Sequence, residues 1–159
     1  MRALSHALRC TTIAAAVVAF LPQLAVAQVA SSAAVKWGPA PDFVPPGAEF
    51  AVLQGNPGQP GVYTIRLRLP ANFRFPPHFH PTDEHVTVIS GTFIVGMGDS
   101  VDLSKAQTLT AGGFITAPAD AHHFAAAKGV TVVQVSGEGP FAITYVKPTD
   151  DPRHGKASQ

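Results

Sequence analysis

The sequence has little charge and almost no cysteine. Asp, Glu, Lys and Arg make up only 13% of its 159 residues, and the formal net charge is +1. A chain so nearly balanced gives no electrostatic basis for binding nucleic acid or an anionic membrane. The single cysteine, Cys10, lies in an N-terminal segment that we predict to be removed. We therefore expect a mature chain without disulfides or thiolates, in which any metal is bound by nitrogen and oxygen atoms.

Long apolar runs are also scarce, and the longest candidate is typical of a secretory signal peptide, residues 1–27. Arg2 and Arg9 precede an uncharged stretch at 11–21, and Ala-Val-Ala at 25–27 supplies the small-x-small pattern of a cleavage site. A membrane anchor is the alternative, but the stretch is shorter than the roughly 20 apolar residues that span a bilayer. We expect a periplasmic or secreted protein with no stable membrane insertion after cleavage.

The remaining chain is interrupted throughout by its 14 glycines and 15 prolines. This frequency disfavours long helices and favours short strands joined by turns. Residues 28–46 predict an extended, proline-rich arm, residues 47–147 a single all-β domain, and residues 148–159 a polar tail. The predicted strands are 49–53, 62–69, 73–79, 85–89, 92–97, 114–117, 122–126, 130–136 and 141–147. Some eight to ten short strands with no helical period indicate a sandwich or a barrel.

Two short segments concentrate the histidines that could carry chemistry. His78 and His80 are two positions apart, so in a strand their imidazoles point to the same side, and Glu84 shares their parity. His122 and His123 begin another predicted strand. A carboxylate that faces inward is costly to bury without a cation beside it. Three imidazoles and one carboxylate suit one divalent transition metal: Fe, Mn, Ni, Cu, Co or Zn.

The spacing of these segments resembles the cupin family. The first cupin motif, His-x-His, three or four residues, Glu, six residues, Gly, is matched by His78, His80, Glu84 and Gly91. The second, Gly, five residues, Pro-x-Gly-x-x-His, is matched by Gly112, Pro118 and His123. The resemblance covers roughly residues 60–146. It implies a small jelly-roll β-barrel, the double-stranded β-helix, around a metal bound by His78, His80, Glu84 and His123.

This chain departs from the cupin pattern at two turns. Asn72 and Asp120 stand where the family usually has glycine. Asn and Asp both tolerate the left-handed backbone conformation, so we expect the turns to be retained. Neither change touches an implied ligand.

Four further residues are candidates for the surroundings of the metal: His85, His122, Gln134 and Tyr145. Neighbouring residues in a strand face opposite sides, so His85 and His122 are expected to point away from the ligands beside them. Gln134 interrupts an apolar strand and is a candidate to face the cavity. Tyr145 could donate its hydroxyl there, and for both residues edge exposure or core packing is the alternative.

A metal held by four protein ligands keeps one or two positions for water, dioxygen or a chelating ligand. The sequence therefore allows a metal-dependent oxygenase, an isomerase or decarboxylase that uses a Lewis acid, or a module that binds a small molecule without turnover. A further hypothesis is an interaction or envelope-stress protein in which the metal only stabilises the fold. The cupin family spans enzymes, sensors and storage proteins, so the resemblance does not choose. It does imply a homodimer, across which the arm could pack.

Overall fold

The structure is a computed structural model that describes residues 31–154, and these residues are almost entirely strand and turn. The strands are β1 Gly38–Pro39, β2 Glu49–Gln54, β3 Gly61–Leu69, β4 Arg74–Phe79, β5 Glu84–Ser90, β6 Thr92–Met97, β7 Gln107–Thr110, β8 Phe114–Ala117, β9 His123–Ala127, β10 Thr131–Gly139 and β11 Thr144–Tyr145. Short 3₁₀ helices form at Ser32–Ala34 and Pro148–Asp150. Within residues 31–154, no helix has the length and apolar character needed to cross a membrane. The predicted signal peptide lies outside the described residues.

The strands form two antiparallel sheets that enclose one core. The first sheet has the order β1-β2-β3-β10-β5-β8, and the second has the order β11-β4-β9-β6-β7. The central pairs, β3 with β10 and β4 with β9, join segments far apart in the sequence. This two-sheet, antiparallel arrangement is a jelly roll, and it confirms the all-β fold class expected from the sequence.

The alternating pattern of β3 determines which face of the first sheet turns inward. Tyr63, Ile65 and Leu67 are buried, whereas the residues between them are partly exposed. Val133 and Val135 of β10 lie on the same inner face and are each 1% exposed. Burying a side chain of this size contributes about 1.5–3 kcal/mol. Because a one-residue slip would turn all of them outward, the apolar pattern also fixes the strand register.

Residues with a left-handed backbone form the turns that the cupin motifs require. Asn72 has φ of 65° and Asp120 has φ of 59°, so the tolerance expected of these two residue types is used here. Gly91, between β5 and β6, has φ of +84°, and a Cβ there would lie 2.5 Å from the carbonyl oxygen of Val130. Gly112 has a similar φ of +85° but open space around it. Gly91 is therefore required by both conformation and space, and Gly112 by conformation alone.

The proline-rich arm packs against its own barrel. Gly38–Pro39 pairs with β2, and Val44 is buried in the core with 3% of its surface exposed. The guanidinium of Arg68 lies 4.1 Å from the ring centroid of Trp37. The core thus reaches back into the segment that the sequence assigned to an extended arm.

The predicted strand at residues 141–147 is shorter in the structure, where only Thr144–Tyr145 pairs with β4. The backbone N–H of Phe141 donates to the carbonyl of Pro57 at 2.7 Å, outside any strand ladder. The carbonyl of Ala142 lies 2.7 Å from the Nδ1 atom of His80. Because these backbone groups have other partners, the segment leaves the sheet and runs beside the histidines.

Candidate metal centre

Two of the four implied ligands lie in the second sheet, one directly follows a strand of that sheet, and one lies in the first sheet. His78 of β4 is the register partner of His123, the first residue of β9. His80 directly follows β4, and Glu84 is the first residue of β5. All four side chains are buried: the residues are 3%, 4%, 9% and 2% exposed for His78, His80, Glu84 and His123. The pairing of β4 with β9 thus joins the two motif segments.

The four side chains converge on one point in the barrel. The ligand atoms offered by His78, His80 and His123 all lie within 4.8 Å of one another. A carboxylate oxygen of Glu84, Oε2, lies 3.5 Å from the Nε2 atom of His80 and 3.6 Å from that of His123. The structure therefore brings together the residues that the motif spacing selected.

Backbone carbonyls orient all three imidazole rings. Each ring directs its Nδ1 atom at a carbonyl oxygen. The pairs are His78 with Pro76 at 2.7 Å, His80 with Ala142 at 2.7 Å, and His123 with Ala121 at 3.0 Å. A carbonyl can only accept, so Nδ1 donates and Nε2 of the neutral ring is left with its lone pair. This is the orientation found in histidines that bind metals.

Burial and mutual charge set the protonation of the site. Burial, followed by the neighbouring His123 and His80, lowers the pKa of His78 to about 3. Burial alone would lower the pKa of His80, but the Glu84 carboxylate outweighs it and the pKa is raised. Burial alone would raise the pKa of Glu84, but the adjacent histidines hold it well below its usual range. Near neutral pH, Glu84 is therefore ionised and His78 is neutral, the forms that bind a metal.

The donor set fits a divalent transition metal. The Nε2 atom of His80 is buried and has no hydrogen-bond partner among residues 31–154. Acceptor atoms from four buried side chains otherwise face one another, which is unfavourable unless a cation or proton lies between them. Three imidazole nitrogens and one carboxylate oxygen are ligands suited to Fe, Mn, Co, Ni, Cu or Zn. The residues present could therefore hold one such ion.

Two hydrogen bonds hold the two motif loops against each other. The Asp83 carboxylate accepts from the backbone N–H of Ala119 at 2.8 Å. The backbone N–H of Asp120 donates to the carbonyl of His80 at 2.9 Å. Asp83 was not predicted as a site residue, although an acidic residue in the turn between two ligands is a signal for such a contact. Its role is to position the loops that carry the ligands.

The ligands face a small cavity of about 30 Å³. That is room for roughly one or two water-sized groups. Apart from the four ligand residues, the lining is apolar: Leu67, Phe75, Val86, Phe93, Val95, Ile115, Ala117, Ala125, Val133, Val135, Phe141 and Ile143. Phe141 stacks on His80 with ring centroids 5.9 Å apart. Within the described residues, the ligands are thus the only titratable groups that line this cavity.

His85 and His122 lie on the outside of the barrel, away from the ligands beside them. The ring of His122 stacks on Phe79 at 4.9 Å, and its Nδ1 atom lies 2.5 Å from a carboxylate oxygen of Asp99. His85 is paired with the Thr116 hydroxyl, with 3.0 Å between the Nδ1 and Oγ1 atoms. The alternation of side chains along a strand accounts for both placements.

Gln134 and Tyr145 do not line the cavity either. Gln134 lies on the outer face of β10, where its amide oxygen accepts from Arg66 Nε at 3.2 Å, so the inward orientation considered for it is wrong. Its neighbours Val133 and Val135 take the inner face. The Tyr145 ring packs 6.1 Å from that of His78, but its hydroxyl donates to the Phe43 carbonyl at 2.7 Å. Tyr145 therefore fixes the arm and does not donate into the cavity.

Fold and site together define a cupin. The family model of the ChrR cupin-like domain matches residues 25–142, and the chain belongs to this family. No curated protein matches the chain significantly.

Solved structures share the fold at low sequence identity. A polyketide cyclase from Streptomyces resistomycificus has a TM-score of 0.65 and 17% identity, covering 80% of this chain and 90% of its own. A proposed acetylacetone dioxygenase from Methylibium petroleiphilum PM1 has a TM-score of 0.62 and 23% identity, covering 84% and 90%. A DMSP lyase from Ruegeria pomeroyi DSS-3 has a TM-score of 0.55 and 18% identity, covering 71% and 61%. At these identities the likeness concerns the fold.

Proposed function

We propose that this chain is an exported cupin that binds one divalent transition metal and acts as an oxygenase on a small oxygen-bearing molecule. The ligands would be His78, His80, Glu84 and His123. The observation that carries the proposal is the convergence of three imidazole nitrogens and an ionised carboxylate in a buried, otherwise apolar cavity. A transition metal bound there supplies redox chemistry with dioxygen or Lewis-acid polarisation of a substrate oxygen.

The residues of the cavity favour an oxygenase over an isomerase. The ligand residues are the only acids and bases among the described residues that line it, so none of the other lining side chains can move a proton. The apolar walls, which include Phe75, Phe93 and Phe141, exclude water and leave space at the ligands only for the reacting atoms of a substrate. The oxygen atoms of the substrate would face the polar end formed by the four ligands. The small volume restricts the reacting part of the substrate to a few atoms.

Oxygen uptake by the metal-loaded full chain tests this proposal. The protein is loaded in turn with ferrous iron, manganese and zinc, and uptake is followed with acetylacetone, a 2-keto acid and a phenol. Acetylacetone is included because one structural relative is a proposed dioxygenase of that compound. We expect uptake with iron or manganese, none with zinc, and none in His78→Ala. An absence of uptake with every redox metal and substrate class would contradict the oxygenase.

A non-catalytic binding module is the second candidate, and the same lack of a proton-transfer residue supports it. In that case the metal-loaded protein binds a small ligand without consuming it. Calorimetric binding of acetylacetone with no oxygen uptake and no product would favour this candidate. Elemental analysis of protein isolated from its native compartment would identify the metal, which narrows the chemistry most.

Export and dimer formation are part of the proposal and need their own measurements. Cell fractionation with N-terminal sequencing should find the chain outside the cytoplasm, beginning after Ala27. Sedimentation equilibrium should give twice the chain mass if the homodimer implied by the resemblance forms. A cytoplasmic chain that retains its first residues would contradict export.

A further inference from the structure

Tyr63 is a buried tyrosine whose hydroxyl has no partner in the described part of the protein. Only 2% of the residue is exposed, and its hydroxyl takes part in no hydrogen bond within residues 31–154. Buried tyrosine hydroxyls usually have a partner. Tyr145, the other tyrosine, follows this rule through the carbonyl of Phe43. Since no hydrogen bond within residues 31–154 engages the Tyr63 hydroxyl, a bound ligand could accept one from it.

The strand register places Tyr63 in one row with a metal ligand. Gly137 of β10 is the register partner of Tyr63 on one side and of Glu84 on the other. A Cβ on Gly137 would lie 3.0 Å from the Tyr63 hydroxyl oxygen and 3.0 Å from the carbonyl oxygen of Asp83, the residue before Glu84. The phenol therefore occupies the space that the glycine leaves and extends from β3 toward Glu84. The two strand spacings between them, each about 4.8 Å, can be spanned by these two long side chains and one small group between them.

Tyr63 also lies beside the wall of the cavity. Its ring packs against Phe141 with centroids 5.6 Å apart, and Phe141 in turn stacks on His80. Burial, and then the nearby Glu84, raises the pKa of Tyr63. The phenol is therefore neutral and a donor, in contrast to the four ligand side chains, which present acceptor atoms. A ligand oxygen atom that faces the metal site could therefore accept a hydrogen bond from the Tyr63 hydroxyl.

We propose that the Tyr63 hydroxyl donates a hydrogen bond to the oxygen of the small ligand or substrate that binds beside Glu84. The inference rests on the proposed function, since the metal is what brings that oxygen atom to this place. The ligand class is a small molecule with a carboxylate, carbonyl or enolate oxygen. Tyr63 would then be a specificity-determining residue that favours oxygen-bearing ligands over apolar ones.

Formate binding to the cobalt-loaded full chain tests the inference. The visible spectrum of bound cobalt(II) reports both metal occupancy and the arrival of formate, without any turnover. Tyr63→Phe should weaken formate binding by about tenfold or more, as expected for a lost hydrogen bond to a charged oxygen, and should leave cobalt affinity unchanged. Tyr145→Phe is the matched control, because it removes a hydroxyl that is bound elsewhere, and it should leave formate affinity unchanged.

A second variant retains the Tyr63 hydroxyl but adds a methyl group in the space that it occupies. Gly137→Ala puts a methyl group 3.0 Å from the phenol oxygen and from the Asp83 carbonyl, so cobalt affinity is measured beside formate affinity, and formate binding should weaken by the larger factor. Equal formate affinity in Tyr63→Phe and the unmodified protein would overturn the inference and leave the metal site standing. An equal loss in Tyr63→Phe and Tyr145→Phe, or a parallel loss of cobalt in Tyr63→Phe, would also overturn it. Failure of the unmodified protein to bind cobalt would overturn the metal site and the inference together.

Discussion

Replacing His123 should weaken metal binding, whereas replacing the adjacent His122 should leave it unchanged. The residue His123 is 2% exposed, and its Nε2 atom lies 3.6 Å from a carboxylate oxygen of Glu84. The side chain of His122 is 35% exposed and lies on the outside with Phe79 and Asp99. His123→Ala should therefore remove a ligand, whereas His122→Ala should only remove an outer contact.

The size of the two effects follows from what each side chain touches. A four-ligand zinc site contributes about 10–16 kcal/mol, so one ligand accounts for roughly 3 kcal/mol, or about a hundredfold in affinity. The pair of His122 and Asp99 is a surface pair, since the Asp99 side chain is 73% exposed. Such pairs contribute about 0–1 kcal/mol to stability. We expect His122→Ala to lower the free energy of unfolding within that range and to leave metal affinity unchanged.

Competition between each variant and a chelator of known zinc affinity measures the difference directly. Circular dichroism of the metal-free proteins serves as the control, because both variants should retain the all-β spectrum. Loss of zinc in His122→Ala with full binding in His123→Ala would refute the reasoning. It would mean that the strand at residues 123–127 presents the opposite face to the cavity.

Three further predictions concern metal, pH and a turn. Zinc at a hundred times its dissociation constant should raise the free energy of unfolding by about 2.7 kcal/mol, and EDTA should lower the melting temperature by on the order of 10 °C. An unchanged melting temperature would argue against a resident metal. In metal-free protein, burial holds the pKa of His78 at about 3, below its ordinary 6.5. The unfolded chain therefore binds this proton at a higher pH than the folded chain does, so stability is lost as the pH falls from 6.5 to 3. Between pH 7 and 4.5, His78→Ala should lose roughly 2 kcal/mol less stability than the unmodified protein in urea titrations, and an equal loss would contradict this assignment. Gly91→Ala should destabilise more than Gly112→Ala, because both have positive φ, costing about 1–2 kcal/mol, but only the Cβ at Gly91 meets backbone, 2.5 Å from Val130 O. Equal unfolding free energies for these two variants would show that the space around Gly91 is not limiting.

The all-β fold could be predicted because its determinants are local. The alternation of residues 62–69 survives as alternating burial in β3, and glycine and proline mark most of the turns. β7, Gln107–Thr110, was not predicted, and its mostly exposed residues explain why, since they lack an apolar face. Residues 141–147 have a strand-like composition, but contacts with Pro57 and His80 take their backbone groups out of the sheet. Local pattern therefore specifies the strands that build the core and fails at the edges.

The candidate ligands could be predicted for the same reason, and their surroundings could not. Parity along a strand places His78 and His80 on one side, and motif spacing distinguishes His123 from His122. A polar residue such as Gln134 can occupy either face of a strand, and only the partner Arg66 shows which. The setting of Tyr63 depends on two strands far away in the sequence that meet at one glycine. Such non-local pairing leaves no signature in a single segment.

Because the candidate ligands lie in both layers of the barrel, a bound metal would hold the two sheets together. Glu84 belongs to the first sheet, while His78 and His123 belong to the second. A cation held by all of them cross-links the layers at one end, in a chain whose described residues contain no cysteine to do so. Such a cross-link would depend on the supply of the metal and could be withdrawn by a chelator. Resistance of that end of the barrel to opening, and to proteases that require opening, should then follow the metal content of the surroundings.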